Sequence, residues 1–220
     1  MAAAPRTPPS ARSGPSAPPA QAEPRPGLRE RKKLKTRTAI RRATYRLIAH
    51  QGYEATTVEQ IAEAAEVSPS TVFRYFPTKE DIVLTDESDP VMLRELRARP
   101  PQEPPLESLR YVVTEAARLS LAHDREGTLH RTRLIAQVPA LRARMRESTA
   151  TTGRMLCEVL AERAGRDGVD LEVRVFAAAV LAALHEATVY WAEHDHQDDL
   201  PALLARTMTT LSQGLPPNPA

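Results

Sequence analysis

The chain has 220 residues, room for one large domain or for a small one plus a medium one. Hydrophobic residues make up 41% and aromatics only 4%, so the core must be built from Ala, Leu, Val and Ile, which favours close-packed helices over a sheet. The net charge of +2 says little, but the single cysteine, Cys157, excludes an intrachain disulfide framework or a cysteine-based metal cluster and fits a reducing compartment.

Residues 1–27 are mostly Pro, Ala, Ser and Arg, too poor in large apolar groups to offset chain entropy, and are expected to form a disordered tail. That tail is either a dispensable extension or a basic arm adding non-specific DNA affinity through Arg6, Arg12 and Arg25. It carries charge and proline but no apolar stretch of the secretory kind. No apolar run approaches the roughly 20 residues of a membrane span, so a cytoplasmic protein without a membrane partner is expected.

Positive charge gathers next. Nine Lys or Arg residues and one acid, Glu30, lie between Arg29 and Arg46, the footprint of something that meets phosphates. From Leu28 to His50, Ile40, Ala43, Thr44, Leu47 and Ile48 recur at three- and four-residue spacing, a helix that Gly52 ends. Thr56-Thr57 followed by Glu59 and Gln60 starts a second, short helix. Ser68-Pro69 opens a third, with serine as N-cap and proline at the first helical position, and Pro77 stops it. Thr78 caps a fourth, which carries Lys79 to Leu84.

Two short helices joined by a tight turn behind a basic helix are the layout of a helix-turn-helix unit. A recognition helix needs an apolar seating face, short polar groups near its N-terminus, and basic or hydroxyl groups at its flanks. Val72 and Phe76 supply the first; Ser70, Thr71, Arg74 and Tyr75 supply the outward polar set, and Pro69 beside them is counted among the expected DNA contacts. Arg74 suits a bidentate contact to guanine, and Tyr75 a phosphate. Thr57 and Lys79 sit at helix starts, where backbone N–H groups favour an anion. Thr57 and Ser68 serve equally well as plain caps, and the basic run as a solvated face. Phe73 either packs inside or meets a thymine methyl. Arg29, Arg31, Lys32, Lys33 and Lys35 are placed along the backbone or in a flanking minor groove, and Arg37 and Arg41 complete the expected DNA contacts.

The stretch from Gly52-Tyr53 through Thr56-Thr57-Val58 and Val67-Ser68-Pro69 to Tyr75-Phe76-Pro77-Thr78-Lys79-Glu80-Asp81-Ile82 resembles the TetR family of transcriptional regulators, over roughly residues 33 to 84. The resemblance implies an all-α protein: a three-helix head (residues 28–84) on a helical ligand-binding and dimerisation body (85–214), with a short tail over 215–220. It implies a homodimer on a near-palindromic operator, and places Thr57, Ser70, Thr71, Phe73, Tyr75 and Lys79 where such proteins commonly touch DNA. Arg74 stands where many relatives have another tyrosine or a small residue, so base preference does not carry over. Leu28-Arg29-Glu30-Arg31-Lys32-Lys33, Phe73-Arg74-Tyr75-Phe76, the acidic Asp86 to Pro90 and Arg97-Ala98-Arg99-Pro100 look like the subgroup of mycofactocin regulators, whose body is linked to acyl-CoA-like ligands.

After a proline-rich break over Arg99 to Pro105, helices are expected at about 106–123, 128–137, 139–163, 171–193 and 200–213. Phe176, Val180, Leu184, Leu204, Met208 and Leu211 lie at helical spacing beside alanines that let a partner helix approach, so they form either a four-helix dimer interface or ordinary core; the resemblance favours the dimer. His123, Arg131, Met155, His185, Tyr190 and Trp191 are the expected lining of an effector pocket, with His130, Arg133 and Glu186 near them. His194-Asp195-His196 contains metal-ligating residue types but reads as a solvated polar loop before a helix capped by Asp198 or Asp199. No phosphate loop, nucleophile elbow or spaced His-Glu metal motif is present, so neither enzyme, metal nor cofactor is expected. The function expected is a sequence-specific regulator, a repressor released by a small apolar effector, with an activator or a ligand-independent interaction protein as alternatives.

Overall fold

The computed structural model describes residues 27–85 and 89–215. The expected tail over 1–27, its arginines, and the end of the chain from 216 lie outside the described residues, Gly27 excepted. Among the described residues there are nine helices and no strand: α1 (Leu28–Gln51), α2 (Val58–Ala64), α3 (Pro69–Tyr75), α4 (Lys79–Leu84), α5 (Asp89–Ala98), α6 (Pro105–Gln137), α7 (Pro139–Ala164), α8 (Leu171–Glu193) and α9 (Leu200–Gln213).

The head is fixed by its caps. Gly52, at φ +86, ends α1 and returns its N–H to the Ile48 carbonyl. Thr57 and Gln60 form a reciprocal capping box on α2, Ser68 accepts from the Thr71 N–H at the start of α3, and Thr78 and Asp81 box α4. Between α2 and α3 the chain turns through Glu66 in the left-handed region, and the Val67 N–H reaches the Ala62 carbonyl at 2.9 Å. Ile40, Ile61, Ala62, Val72, Phe76 and Ile82 then close a small core. A second cluster joins head to body: Tyr45, Ile48 and Tyr53 pack with Val83 and Leu84 of α4 and with Ile135 and Leu141 of α6 and α7.

The body differs from the sequence expectation in four places. Helix α5 was not among the expected elements; Met92, Leu93 and Leu96 give it one apolar face against the body core. The expected break between His123 and Thr128 is a kink inside one long helix. Asp124 alone leaves helical geometry, and its carboxylate accepts from the Gly127 N–H at 3.0 Å. The His194-Asp195-His196 turn is not wholly solvated. His196 is buried, its ring bonds to Thr132 Oγ1 at 2.9 Å through Nε2, and it meets Trp191 edge-on at 4.3 Å. Burial, with Arg133 near, holds this imidazole below its ordinary range, so it is neutral at pH 7. Asp199 caps α9, accepting from the Ala202 N–H at 3.0 Å.

The fourth difference concerns α8. It is long and apolar enough to cross a membrane by length and composition, with a mean hydropathy of 1.4 over its best window. The expectation that no such segment exists counted unbroken apolar runs, and Glu172, Arg174 and Glu186 interrupt this one. The helix packs on α6, α7 and α9. Val180 and Met208 lie in one body core and Leu204 in the other, wholly inside the protomer, so these three present no surface to a second copy. The periodicity that suggested an interface serves the intrachain core. Phe176 and Leu184 are half-buried and Leu211 is exposed.

Phe76 is fully buried beneath the guanidinium groups of Arg37 and Arg41, at 4.9 and 5.5 Å from its ring centre. Phe76→Ala is expected to cost about 3–5 kcal/mol, the usual penalty for emptying an aromatic core site. Urea denaturation followed by circular dichroism checks it.

Candidate nucleic-acid interface and adjoining cavity

Helix α3 turns Val72 into the head core and leaves Pro69, Ser70, Phe73 and Arg74 exposed. Phe73 is 47% exposed, which resolves the sequence ambiguity in favour of a solvent-facing ring. The Ser68 hydroxyl ties Ser70 and Thr71 together, with oxygens 2.9 Å apart in both pairs, so the polar N-terminus of α3 is ordered before any partner arrives. Arg74 leans on Thr71 at 3.5 Å and on the Tyr75 ring at 5.4 Å. Tyr75 is half-buried against the core, so its ring seats α3 as well as bordering the exposed surface. Thr57 is exposed at the start of α2.

Lys79 is already engaged. Its Nζ donates to the carbonyls of Tyr53 (2.9 Å) and Thr56 (3.1 Å) and lies 4.1 Å over the Tyr53 ring. It fixes the turn that presents Thr57. The Tyr53 hydroxyl donates to Glu80 at 2.6 Å. Burial and that carboxylate push the phenol up. Burial raises the Glu80 carboxyl, but the Tyr53 hydrogen bond and neighbouring donors outweigh it, so its net shift is downward.

Along α1 the expected contacts divide. Arg29 and Lys33 are exposed on the first turns, ahead of Ile40, the first buried position; these twelve residues project about 18 Å at helical rise. Arg37 and Arg41 instead face inward over Phe76. Arg41, expected at DNA, is committed instead to the end of α4. Its Nε donates to the Ile82 carbonyl at 3.3 Å and an Nη to that of Thr85 at 2.6 Å. Charge density marked α1 as basic but not which arginines the C-terminus of α4 would claim.

A cavity of about 1090 Å³ lies where α1 faces α5 and α6. Val91, Met92, Val112, Ala116 and Leu119 give it an apolar side; Arg41, Arg42, Arg46 and Arg131, with Glu95, Glu115, Asp124 and Glu126, give it charge of both signs. Of the expected pocket residues, His123 and Arg131 line it. Met155, His185, Tyr190 and Trp191 do not. Met155 and His185 are half-buried on α7 and α8, Tyr190 stacks on His194 at 3.9 Å, and Trp191 is buried with its indole N–H on the Asp198 carbonyl at 2.8 Å. Sequence reasoning missed that α1 walls the cavity. The signal was present: Leu34, Thr38, Arg41, Tyr45 and Ala49 recur every three or four residues on one face.

A capped helix-turn-helix head on a helical body is the architecture of helix-turn-helix transcriptional regulators. The family model of bacterial regulatory proteins of the tetR family matches residues 40–85, and that of the MftR C-terminal domain matches residues 103–216. The chain is 41% identical over 159 residues, 67% of each chain, to the HTH-type transcriptional regulator TcmR of Streptomyces glaucescens. Among solved structures, FadR of Thermus thermophilus in complex with lauroyl-CoA is 24% identical, with a TM-score of 0.53, covering 84% of this chain and 97% of that one. NalD of Pseudomonas aeruginosa, a repressor of a multidrug efflux pump, is 23% identical, with a TM-score of 0.56 and coverage of 82% and 97%. The chain belongs to the TetR family of transcriptional regulators, with an MftR-type C-terminal domain.

Tyr53→Phe removes the hydroxyl that holds the Glu80 carboxyl down. A lowered folded pKa stabilises above the ordinary carboxylate range and loses that effect as pH falls through the folded value. The variant is therefore expected to be less stable than wild type by about 1 kcal/mol at pH 7, with the gap closing below about pH 4. Urea denaturation at a series of pH values measures it.

Proposed function

We propose that this chain is a repressor that binds a near-palindromic operator as a homodimer and is released by a small, largely apolar effector, acyl-CoA-like in its amphipathic character. Residues 28–84 form the DNA-binding head, and 85–214 the effector and dimerisation body. The carrying observation is the placement of the cavity: it lies between the basic helix α1 and the body, so whatever fills it presses on the head. Its size suits a metabolite-sized ligand, and its apolar side with flanking arginines and histidines suits a chain with a charged end. His123 and Arg131 are effector contacts in this reading; Met155, His185, Tyr190 and Trp191 lie outside the cavity lining and are not effector contacts in this reading.

Ser70, Thr71, Phe73 and Arg74 read base edges in the major groove. Thr57 and Tyr75 bind phosphate, Pro69 sets the approach of α3, and Lys79 shapes the turn beneath Thr57. Arg29 and Lys33 extend the footprint along the backbone. Arg37 supports α3 through Phe76. The second copy docks on the exposed face of α8, where Val175, Ala178, Ala179 and Ala182 align, flanked by Phe176 and Leu184 and by Leu211 of α9. Effector binding favours a head spacing that mismatches successive major grooves, a population shift of the dimer.

The test is fluorescence-anisotropy binding to the DNA upstream of its own gene, in the cytoplasmic salt range, against competitor DNA, with lauroyl-CoA as the first effector tried. Competitor-resistant binding that effector weakens supports the proposal. Weak binding that salt abolishes equally for any DNA contradicts it. Arg74→Ala is expected to lose about 1–3 kcal/mol on the preferred site and to relax preference at one base position. Lys33→Ala is expected to weaken all sequences alike and to reduce the salt slope by about one. A panel of single-base operator variants at two salt concentrations distinguishes the two.

A further inference from the structure

The C-terminus of α4 is held in an unusual way. The final carbonyls of a helix lack intrahelical partners and need others. Here four consecutive carbonyls are shared between two arginines from different parts of the molecule. Arg41 of α1 takes the outer pair, Ile82 at 3.3 Å and Thr85 at 2.6 Å. Arg131 of α6 takes the inner pair, Val83 and Leu84, both at 3.1 Å. The positive guanidinium groups also match the negative end of the helix dipole. Helix α4 carries Ile82 in the head core and Val83 and Leu84 in the head–body cluster, so its last turn belongs to both. Arg41, Thr85 and Arg131 all line the cavity.

We infer that this two-arginine clasp is the coupling element between cavity and head, with Arg131 as the positioning residue on the body side and Arg41 on the head side. The inference rests on the reading of the cavity as the effector site. A molecule filling the cavity meets both guanidinium groups, and any bond it takes from them is lost to the carbonyls of α4. The head then loses its fixed angle to the body, while its own core, built on Ile40, Ile61, Val72 and Phe76, stays closed. Bonds to an ionised group are stronger than those to a carbonyl, so an effector with an anionic end works the clasp most effectively.

The test needs no effector. Spin labels at Glu63→Cys on the head and Arg118→Cys on the body, in a Cys157→Ser background and diluted with unlabelled protein, report the head–body distance by electron–electron double resonance. Operator affinity is measured in parallel. Arg131→Met is expected to shift or broaden the distance distribution and to weaken operator binding about tenfold, the usual size of an allosteric coupling, with helix content unchanged. Arg41→Met should act in the same direction, and the double variant should be no worse than the worse single one, because both act through α4. If Arg131→Met does not fold, Arg131→Lys serves: one ammonium keeps the charge but does not reproduce the planar fork across two carbonyls, so a smaller shift is expected. A wild-type distance distribution in Arg131→Met or Arg131→Lys, or strictly additive losses in the double variant, overturns the clasp. If wild type itself fails to bind operator, the regulator reading falls, and the distance measurement still decides the clasp.

Discussion

The structure turns on the last turn of α4. Six residues long, this helix is too short to persist alone. It survives because each end is held: Thr78 and Asp81 box its start, Arg41 and Arg131 gather its final carbonyls, and Arg144 of α7 reaches back to Asp81 at 3.4 Å. Three separate helices of the molecule therefore converge on one short element. Without those bonds, buried carbonyls would be stranded at the head–body boundary, at roughly 1–3 kcal/mol each. Beside them the boundary closes on the apolar cluster of Ile48, Val83, Leu84, Ile135 and Leu141, so these polar groups set its angle as well as its strength.

From that constraint the rest follows in order. The head closes on Phe76 and Ile82, and α3 is seated with its polar edge outward. The body closes on two clusters, one around Leu156, Val159 and Val180 and one around Trp191 and Leu204. Where α1 leaves the head and faces α5 and α6, packing is incomplete, and the cavity remains. Helix α1 contributes to the head core and to the cavity wall, and α4 joins the head core to the head–body cluster.

The head was legible in the sequence because its helices carry their own punctuation. Ser68-Pro69, Thr57 with Gln60, Thr78 and Gly52 each state a boundary by local chemistry, and each cap is found in place. The body was legible as helices but not as arrangement. Asp124 bends α6 without ending it, because Thr128 returns its hydroxyl to the Asp124 carbonyl and the chain resumes. His196 sits in a polar run, yet Thr132, 64 residues earlier, draws it inside. The periodicity of Val180, Leu204 and Met208 looks the same whether the partner helix is in the same chain or another. Arg41 and Arg131 were marked for DNA and for effector; nothing local shows that both would end on α4. Long-range polar contacts of this kind are invisible to spacing and composition.

The most direct test of the central claim is an unbiased selection of short genomic DNA fragments by the full-length protein at physiological salt, read by sequencing. The account predicts enrichment of a few fragments sharing one near-palindromic sequence, with half-sites about one helical turn apart. Recovery of fragments with no common sequence, in proportion to their abundance, would contradict it.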